Sequence, residues 1–490
     1  MLRIWFFLAA FAAVAAVSFA LGKRHARRLQ RARRIRIDHY KLKKRHADIE
    51  LEVFGNREVV HAIQNYAKEN HVSTEAAMRQ ARQYLREIVP KFNLLAYYRF
   101  GAPIARAIMY FLYRVVVERK QVSEFNDRAV KGATVIYVIN HRSNADYVLV
   151  AHMLFKFISL SYAVGEWARV WPLNHLFKWF GAYFIRRRYR EPLYHAVLST
   201  FVQTITKNGV TQGIFIEGGL TRDGAFRKPK LGMLDYIVTA KRDPEFTGPL
   251  YVIPTAINYD RVLEDRNLTD EFLGHADRAT RFQKLRTTFD FLFKNSLRSL
   301  FRRFKRYGYA MVTFGTPISV DEFVRDHPAL LAGQFDERKP ELQRLADLVM
   351  TEISDALPVT PVPLIARIFA GHPDGEQIPE QQIVEEIGHY RERWANRVWP
   401  ARERSAAEIW QAARDILVLR HLIVEHRLQP VASPAEAGTP STWRWDPNEL
   451  LLRDFYANSL LSFADVKRRG WPERAVIADE ALTPTPAVAH

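Results

Sequence analysis

The sequence predicts an α/β fold, a central sheet flanked by helices, with helical regions towards both ends of the chain. Three observations carry that expectation. The short apolar runs Ala133–Ile139, Gly213–Ile216 and Leu250–Ile257 have the length and composition of buried strands. The longer apolar stretch from Tyr147 to Ile158 is better suited to a packed helix. Polar clusters follow the first two runs, at the strand-to-helix turns where α/β folds usually place their chemistry.

Composition frames these elements. At 490 residues and 48% apolar content the chain is globular, with material for two to four domains. It contains no cysteine, which excludes disulfides, thiolate zinc sites and a cysteine nucleophile. The formal charge of +19 is concentrated near the N-terminus.

Taken in order, the chain opens with Ile4–Leu21, 18 uncharged residues rich in Ala, Phe and Val. That length reaches the lower limit for a transmembrane helix. A cleaved signal peptide competes, because small residues surround Ser18. The next segment, Lys23–Arg45, holds twelve Lys or Arg against the single acid Asp38. Segments that basic resist translocation, so an uncleaved anchor in residues 1–22 with the remainder on the cytoplasmic side is expected. A basic run beside an anchor suits anionic lipid, and no nucleic-acid module accompanies it. Residues 23–90 are therefore expected to be a basic juxtamembrane and helical segment. Phe92–Val117 is long and aromatic, read as a helix packed on the sheet, with a bilayer-facing surface as the alternative.

His141 and Asp146 lie in the turn after the first apolar run. Five residues correspond to about 500° around a helix, so the two meet only with His141 in the turn and Asp146 in the helix's first turn. There the dipole favours the carboxylate, which can hold one imidazole nitrogen and leave the other as a base. The structural alternative is a helix cap with a surface neighbour. Further on, Phe180–Arg190 reads as a short aromatic strand ending in Arg186, Arg187 and Arg188, whose guanidinium groups suit phosphate. In Gly213–Gly224, Glu217 stands at a strand end, placed for substrate hydroxyls or for a structural hydrogen bond. Gly218 and Gly219 permit close backbone approach or a tight turn. Arg222, Arg227, Lys228 and Lys230 form a basic cluster without phosphate-loop spacing. Pro254, inside an apolar run, suggests a strand end or bulge beside a site.

These segments, in this order, resemble the glycerolipid acyltransferases. His141-Arg-Ser-Asn-Ala-Asp146 matches their H-x4-D motif, and Gly181–Arg187 is similar to the second. Phe215–Gly218 with Arg222 is similar to the third, and Ile253-Pro254 stands where the fourth is expected. Within the superfamily the likeness is to membrane-bound bacterial glycerol-3-phosphate acyltransferases. It extends to Ile257–Glu264, Val312–Ser319 and Leu451–Ser459, and covers roughly residues 92–463. Leu220 stands where the third motif commonly has an Arg associated with substrate phosphate.

The resemblance implies an acyltransferase domain with a mixed sheet at residues 91–330, and transfer of a fatty acyl group from acyl-CoA or acyl carrier protein to the sn-1 hydroxyl of glycerol 3-phosphate. His141 and Asp146 would be catalytic. Arg186, Arg187, Arg188, Glu217, Gly218, Arg222, Lys230 and Pro254 would bind substrate. It implies no metal and no cofactor beyond the thioester co-substrate, and a place on the inner membrane. Lysophosphatidate or dihydroxyacetone phosphate are the alternative acceptors, and an inactive lipid-binding scaffold is the alternative of another class. A basic nucleic-acid binder is the last. The chemistry is consistent: a substrate hydroxyl serves as nucleophile, and no Gly-x-Ser-x-Gly elbow points to an acyl-enzyme.

After residue 330 the sequence predicts a helical region to residue 470, with helices at Glu337–Leu357, through much of Glu380–Leu428 and at Asn448–Val466, and a linker at 430–442. Residues 471–490 are expected to be disordered, and His421 and His426 lack metal spacing.

Overall fold

The computed structural model describes residues 46–89, 102–118, 132–154, 161–164, 182–186, 189–273, 307–400, 405–427 and 441–471. The expected anchor in residues 1–22, the basic run to Arg45 and the tail from residue 472 lie outside the described residues. Among the described residues, no helix is long and apolar enough to cross a membrane.

Three amphipathic helices come first: α1 (His46–Phe54), α2 (Arg57–Glu69) and α3 (Thr74–Ile88). Asn56 and Ser73 cap the last two by accepting backbone N–H bonds from Glu58 and Ala76. Then follow α4 (Ala102–Leu112), β1 (Arg114–Val117), β2 (Thr134–Ile139), α5 (Ala145–Leu154), β3 (Ser161–Val164), β4 (Ala182–Phe184), α6 (Pro192–Lys207), β5 (Gln212–Phe215), α7 (Leu231–Thr239), β6 (Leu250–Tyr259) and α8 (Asp265–Phe272). The expectation of one helix across Phe92–Val117 is corrected. The β-branched run Val115-Val-Val117 extends as an edge strand beside β7 (Tyr309–Phe314).

Strands β1 to β7 form one mixed sheet in the order β1-β7-β6-β2-β5-β3-β4, with the short β8 (Ile318–Ser319) also on β6. Strand β2 lies parallel to both β5 and β6, and all six of its residues are buried. Strand β7 turns antiparallel to β6, which makes the sheet mixed.

Pro254 is neither a strand end nor a bulge, contrary to expectation. It sits inside β6 opposite Val138 and is buried. Its carbonyl accepts from Gly315 N–H on the side away from β2. In a strand a residue's nitrogen faces the same side as its carbonyl, so the missing donor falls between the β8 and β7 pairings and costs the β2 ladder nothing.

The remainder comprises α9 (Val320–Asp326), α10 (Phe335–Asp355), α11 (Pro361–Phe369), β9 (Ile378–Pro379), α12 (Glu380–Arg393), α13 (Ala406–Leu419), β10 (Ile423–Arg427), β11 (Ser441–Trp445), α14 (Leu450–Asn458) and α15 (Phe463–Arg469). The region expected to be helical therefore also holds a small antiparallel sheet, in the order β10-β11-β9. Alternate burial of Trp443 and Trp445, with Trp443 edge-on to Trp410, supplies the reason. That strand takes in Ser441 and Thr442, the last two residues of the expected linker. Proline at the start of α11 needs no amide hydrogen there, so the 358–363 run separates two helices and begins the second.

Buried apolar residues from Val53 to Phe463 form one contiguous core. The C-terminal helices thus share the interior with the sheet. On α14 the side chains of Leu452, Phe455 and Tyr456 are buried, each contributing about 1.5–3 kcal/mol.

Candidate functional site

Strand β2 ends at Ile139, and the Asn140 side chain continues its pairing. Its amide donates to Ile257 O at 3.0 Å and its oxygen accepts from Ile257 N–H at 2.7 Å. The chain then turns, His141 falls in the turn, and Asp146 falls in the first turn of α5. The arrangement is the one the spacing requires.

His141 Nδ1 lies 2.9 Å from Asp146 Oδ2. A carboxylate only accepts, so Nδ1 carries the proton and Nε2 presents its lone pair. Asp146 Oδ2 also accepts from the backbone N–H groups of Arg142 at 2.7 Å and Ser143 at 3.0 Å. Its Oδ1 accepts from Tyr259 Oη at 2.6 Å. Both partners are buried, at 1% exposure for His141 and 0% for Asp146. The imidazole stacks on Phe215, with centroids 4.2 Å apart, and Tyr147 stands edge-on with its hydroxyl 3.4 Å from Nε2. Ring orientation is thus fixed by packing as well as by the carboxylate. A buried, oriented imidazole with an accepting Nε2 can take a proton from a hydroxyl.

Glu217 lies at the same strand ends and makes the structural hydrogen bonds that its position also allowed. Its Oε2 accepts from His141 N–H at 2.6 Å and its Oε1 from Arg227 N–H at 2.7 Å. The side chain joins two loops, and burial pushes its carboxyl up despite nearby Arg142. Gly218 serves its turn at φ +67°, where an added Cβ would meet Lys230 Cγ at 2.8 Å. Lys230 is exposed and precedes α7. Arg222 pairs with Glu271 at 3.1 Å and remains half-buried. Leu220 packs against the core, and its carbonyl accepts from Arg227 Nη1 at 3.1 Å.

Of the arginine run, Arg186 is bidentate on Glu87, at 2.8 and 2.6 Å. It also lies over the rings of Tyr84, Tyr189 and Tyr194. The guanidinium therefore ties β4 to α3. Arg187 and Arg188 lie outside the described residues. Among the described residues, no group of His, Asp and Glu side chains is arranged to hold a metal.

Several residues at the turn carry no signal in the spacing alone. Arg142, inside the H-x4-D stretch, is buried and donates to Gly224 O through Nη1 and to Ser459 O through Nη2 at 3.3 Å. Burial pushes its guanidinium down, and the carboxylates of Glu217, Asp223 and Asp146 oppose that shift. Asn458 donates to Asp223 O at 3.0 Å. Tyr456 Oη donates to Asp265, whose carboxylate also pairs with Arg420 at 2.6 Å. Helix α14 is thereby bonded to both loops that frame the His141–Asp146 pair. Ser143 Oγ donates to Glu264 at 2.8 Å, and burial raises that carboxyl to about 7.

Two family models match the chain. The family described as "Acyltransferase" matches residues 101–258, and "Glycerol-3-phosphate acyltransferase C-terminal region" matches residues 293–464. The two matched segments follow one another along the chain, and each covers about a third of it.

Among its relatives, a glycerol-3-phosphate acyltransferase of Aeromonas hydrophila is 26% identical over 64% of this chain and 38% of its own length. One from Haemophilus influenzae is 25% identical over 68% and 40%. A Mycobacterium bovis protein named as an acyltransferase is 26% identical over 84% of this chain and 64% of its own length. The chain spans about two fifths of the length of the first two relatives. The crystal structure of a 1-acyl-sn-glycerophosphate acyltransferase from Thermotoga maritima is 16% identical, covering 59% of this chain and 91% of that one, with a TM-score of 0.29. The match to the C-terminal region of the glycerol-3-phosphate acyltransferases includes α14, whose Asn458 side chain donates to Asp223 O in the third-motif loop.

Proposed function

We propose that this acyltransferase-family chain moves a fatty acyl group from an acyl-CoA or acyl carrier protein thioester to the sn-1 hydroxyl of glycerol 3-phosphate. The observation that carries the reading is the His141 Nδ1–Asp146 Oδ2 contact of 2.9 Å, which leaves Nε2 as the base. The names of the relatives support the acceptor.

The mechanism is a single displacement. Nε2 of His141 takes the proton of the acceptor hydroxyl while its oxygen attacks the thioester carbonyl. The C–O bond forms, the C–S bond breaks, and the proton passes from the imidazolium to the departing thiolate. Asp146 holds the tautomer and stabilises the imidazolium, and a positioned base of this kind contributes about 10²–10⁴-fold. Arg222, Lys230, Arg187 and Arg188 are the cations proposed to meet the acceptor phosphate, with Leu220 in place of the usual motif arginine.

Residues 1–22 are proposed to anchor the chain in the inner membrane, with the basic run from Lys23 to Arg45 on anionic lipid and the acyltransferase domain on the cytoplasmic side. The test offers glycerol 3-phosphate, dihydroxyacetone phosphate and lysophosphatidate separately to lipid-reconstituted protein with labelled acyl-CoA or acyl carrier protein. Preference for glycerol 3-phosphate is expected. Leu220 favours the second reading, another acceptor at the same site, and preference for lysophosphatidate would establish it instead.

A further inference from the structure

Strand β6 ends in Tyr259, and the segment Tyr259-Asp-Arg-Val-Leu-Glu264 passes behind the H-x4-D turn. We infer that Tyr259 and Glu264 are positioning residues that set, in opposite directions, how strongly Asp146 acts on His141. The inference rests on His141 being the base.

The two residues reach the turn from one segment but touch different atoms. Tyr259 Oη donates to Asp146 Oδ1 at 2.6 Å, the oxygen that His141 does not use. Three donors already meet Oδ2, so the tyrosine draws carboxylate charge towards the far oxygen and away from the imidazole. Glu264 works through Ser143. Its carboxylate accepts the Ser143 hydroxyl at 2.8 Å, and that oxygen in turn accepts Ala145 N–H at 3.0 Å at the start of α5. Glu264 thereby fixes the rotamer of the residue whose own N–H binds Asp146. Its charge also faces Asp146, and this repulsion adds to burial in raising the Glu264 carboxyl.

Other groups face the pair. Glu217 accepts His141 N–H, Arg142 lies among Glu217, Asp223 and Asp146, and the Tyr147 hydroxyl stands near Nε2. None of these changes in the two substitutions considered. Tyr113 packs against Tyr259 with ring centroids 5.3 Å apart and tilted by 52°, and donates to Arg261 O, so the tyrosine ring is held even without its hydroxyl.

The signs follow directly. Tyr259→Phe removes a donor from Asp146, leaves more charge facing Nδ1, and favours the imidazolium. Glu264→Gln removes the negative charge that Glu264 carries as pH passes about 7, and so disfavours the imidazolium there. At the effective dielectric of a protein site each change should move the His141 titration by about half a pH unit. The acid limb of kcat/KM should move up in Tyr259→Phe and down in Glu264→Gln.

Two readouts keep this separate from the proposed activity. One is the pH profile of acyl transfer. The other is the ring titration of His141 by NMR in selectively labelled full-length protein, assigned by its loss in His141→Gln. Opposite displacements in the two near-isosteric variants are expected in both. Unmoved midpoints, or midpoints moving the same way, would overturn the inference; if one variant fails to fold, the sign of the other decides. Wild-type protein inactive with every acceptor would instead refute the proposed function, and the NMR midpoints would still judge Tyr259 and Glu264.

Discussion

Gly224→Ala separates the third-motif loop from the helix behind it. Gly224 has φ +83°, and an added Cβ would lie 1.7 Å from Phe455 O and 2.7 Å from its carbonyl carbon. The obstruction is the backbone of α14, which cannot swing away as a side chain does. An L-residue in the left-handed region costs about 1–2 kcal/mol, and overpacking typically adds about 1–3 kcal/mol. Relief requires α14 to retreat. That would break the Asn458–Asp223 bond and the Arg142–Ser459 bond, stranding part of a buried guanidinium. The local cost is about 3 kcal/mol, which corresponds to roughly a 100-fold loss of amide protection. Hydrogen exchange over residues 450–459 reads this directly, and acyl transfer should fall with it because Arg142 adjoins His141. Gly218→Ala is the control. Its Cβ would meet only the Lys230 side chain at 2.8 Å, so the cost is that of φ alone and exchange over 450–459 should stay unchanged. Unchanged protection and turnover in Gly224→Ala would refute the idea that α14 supports the turn.

Three further outcomes follow from the geometry. Asp146→Asn keeps the fold's shape but removes the acceptor that fixes the tautomer, so kcat should drop at least ~100-fold with little change in acceptor KM. Tyr456→Phe loses the hydroxyl shared by Asp265, Arg420 and Val262 N–H, and should cost about 1–3 kcal/mol in denaturant unfolding. Glu264 has its carboxyl raised from 4.5 to about 7 mainly by burial, so between those values the folded chain holds a proton that the unfolded chain has released. Stability therefore falls as pH rises through that window, by up to about 1.4 kcal/mol per pH unit, with the loss complete above pH 7. Glu264→Gln should remove this slope, so its Tm relative to wild type should climb from pH 5 to 8 in thermal melts.

Much of the site is legible in the residues because its determinants are local. The β2 run Thr134–Ile139, the turn and the five-residue step from His141 to Asp146 all lie in one short stretch, and the geometry leaves that pair only one way to meet. What supports the pair is not local. Tyr259 reaches Asp146 across 113 positions, and Ser459 reaches Arg142 across 317. No periodicity or spacing encodes such contacts. Glu217 and Arg186 show the same difficulty from the other side, since a polar side chain at a strand end looks alike whether it awaits a ligand or is satisfied by Arg227 N–H or Glu87. The antiparallel sheet was hidden because β9 has two residues and β10 and β11 five each, short enough to pass for the ends of helices and linker. Pro254 misled for a particular reason: its absent N–H points into the gap between β7 and β8, where a proline is harmless in mid-strand.

The most direct test of the central claim is acyl transfer from a labelled thioester to glycerol 3-phosphate by wild-type protein and His141→Ala under the same lipid conditions. Wild type should form labelled monoacylglycerol phosphate and release one thiol per acyl group moved. His141→Ala, with its fold confirmed by an unchanged melting curve, should be slower by at least ~100-fold. Transfer at the wild-type rate by His141→Ala would contradict His141 as the base, and the mechanism built on it would fall.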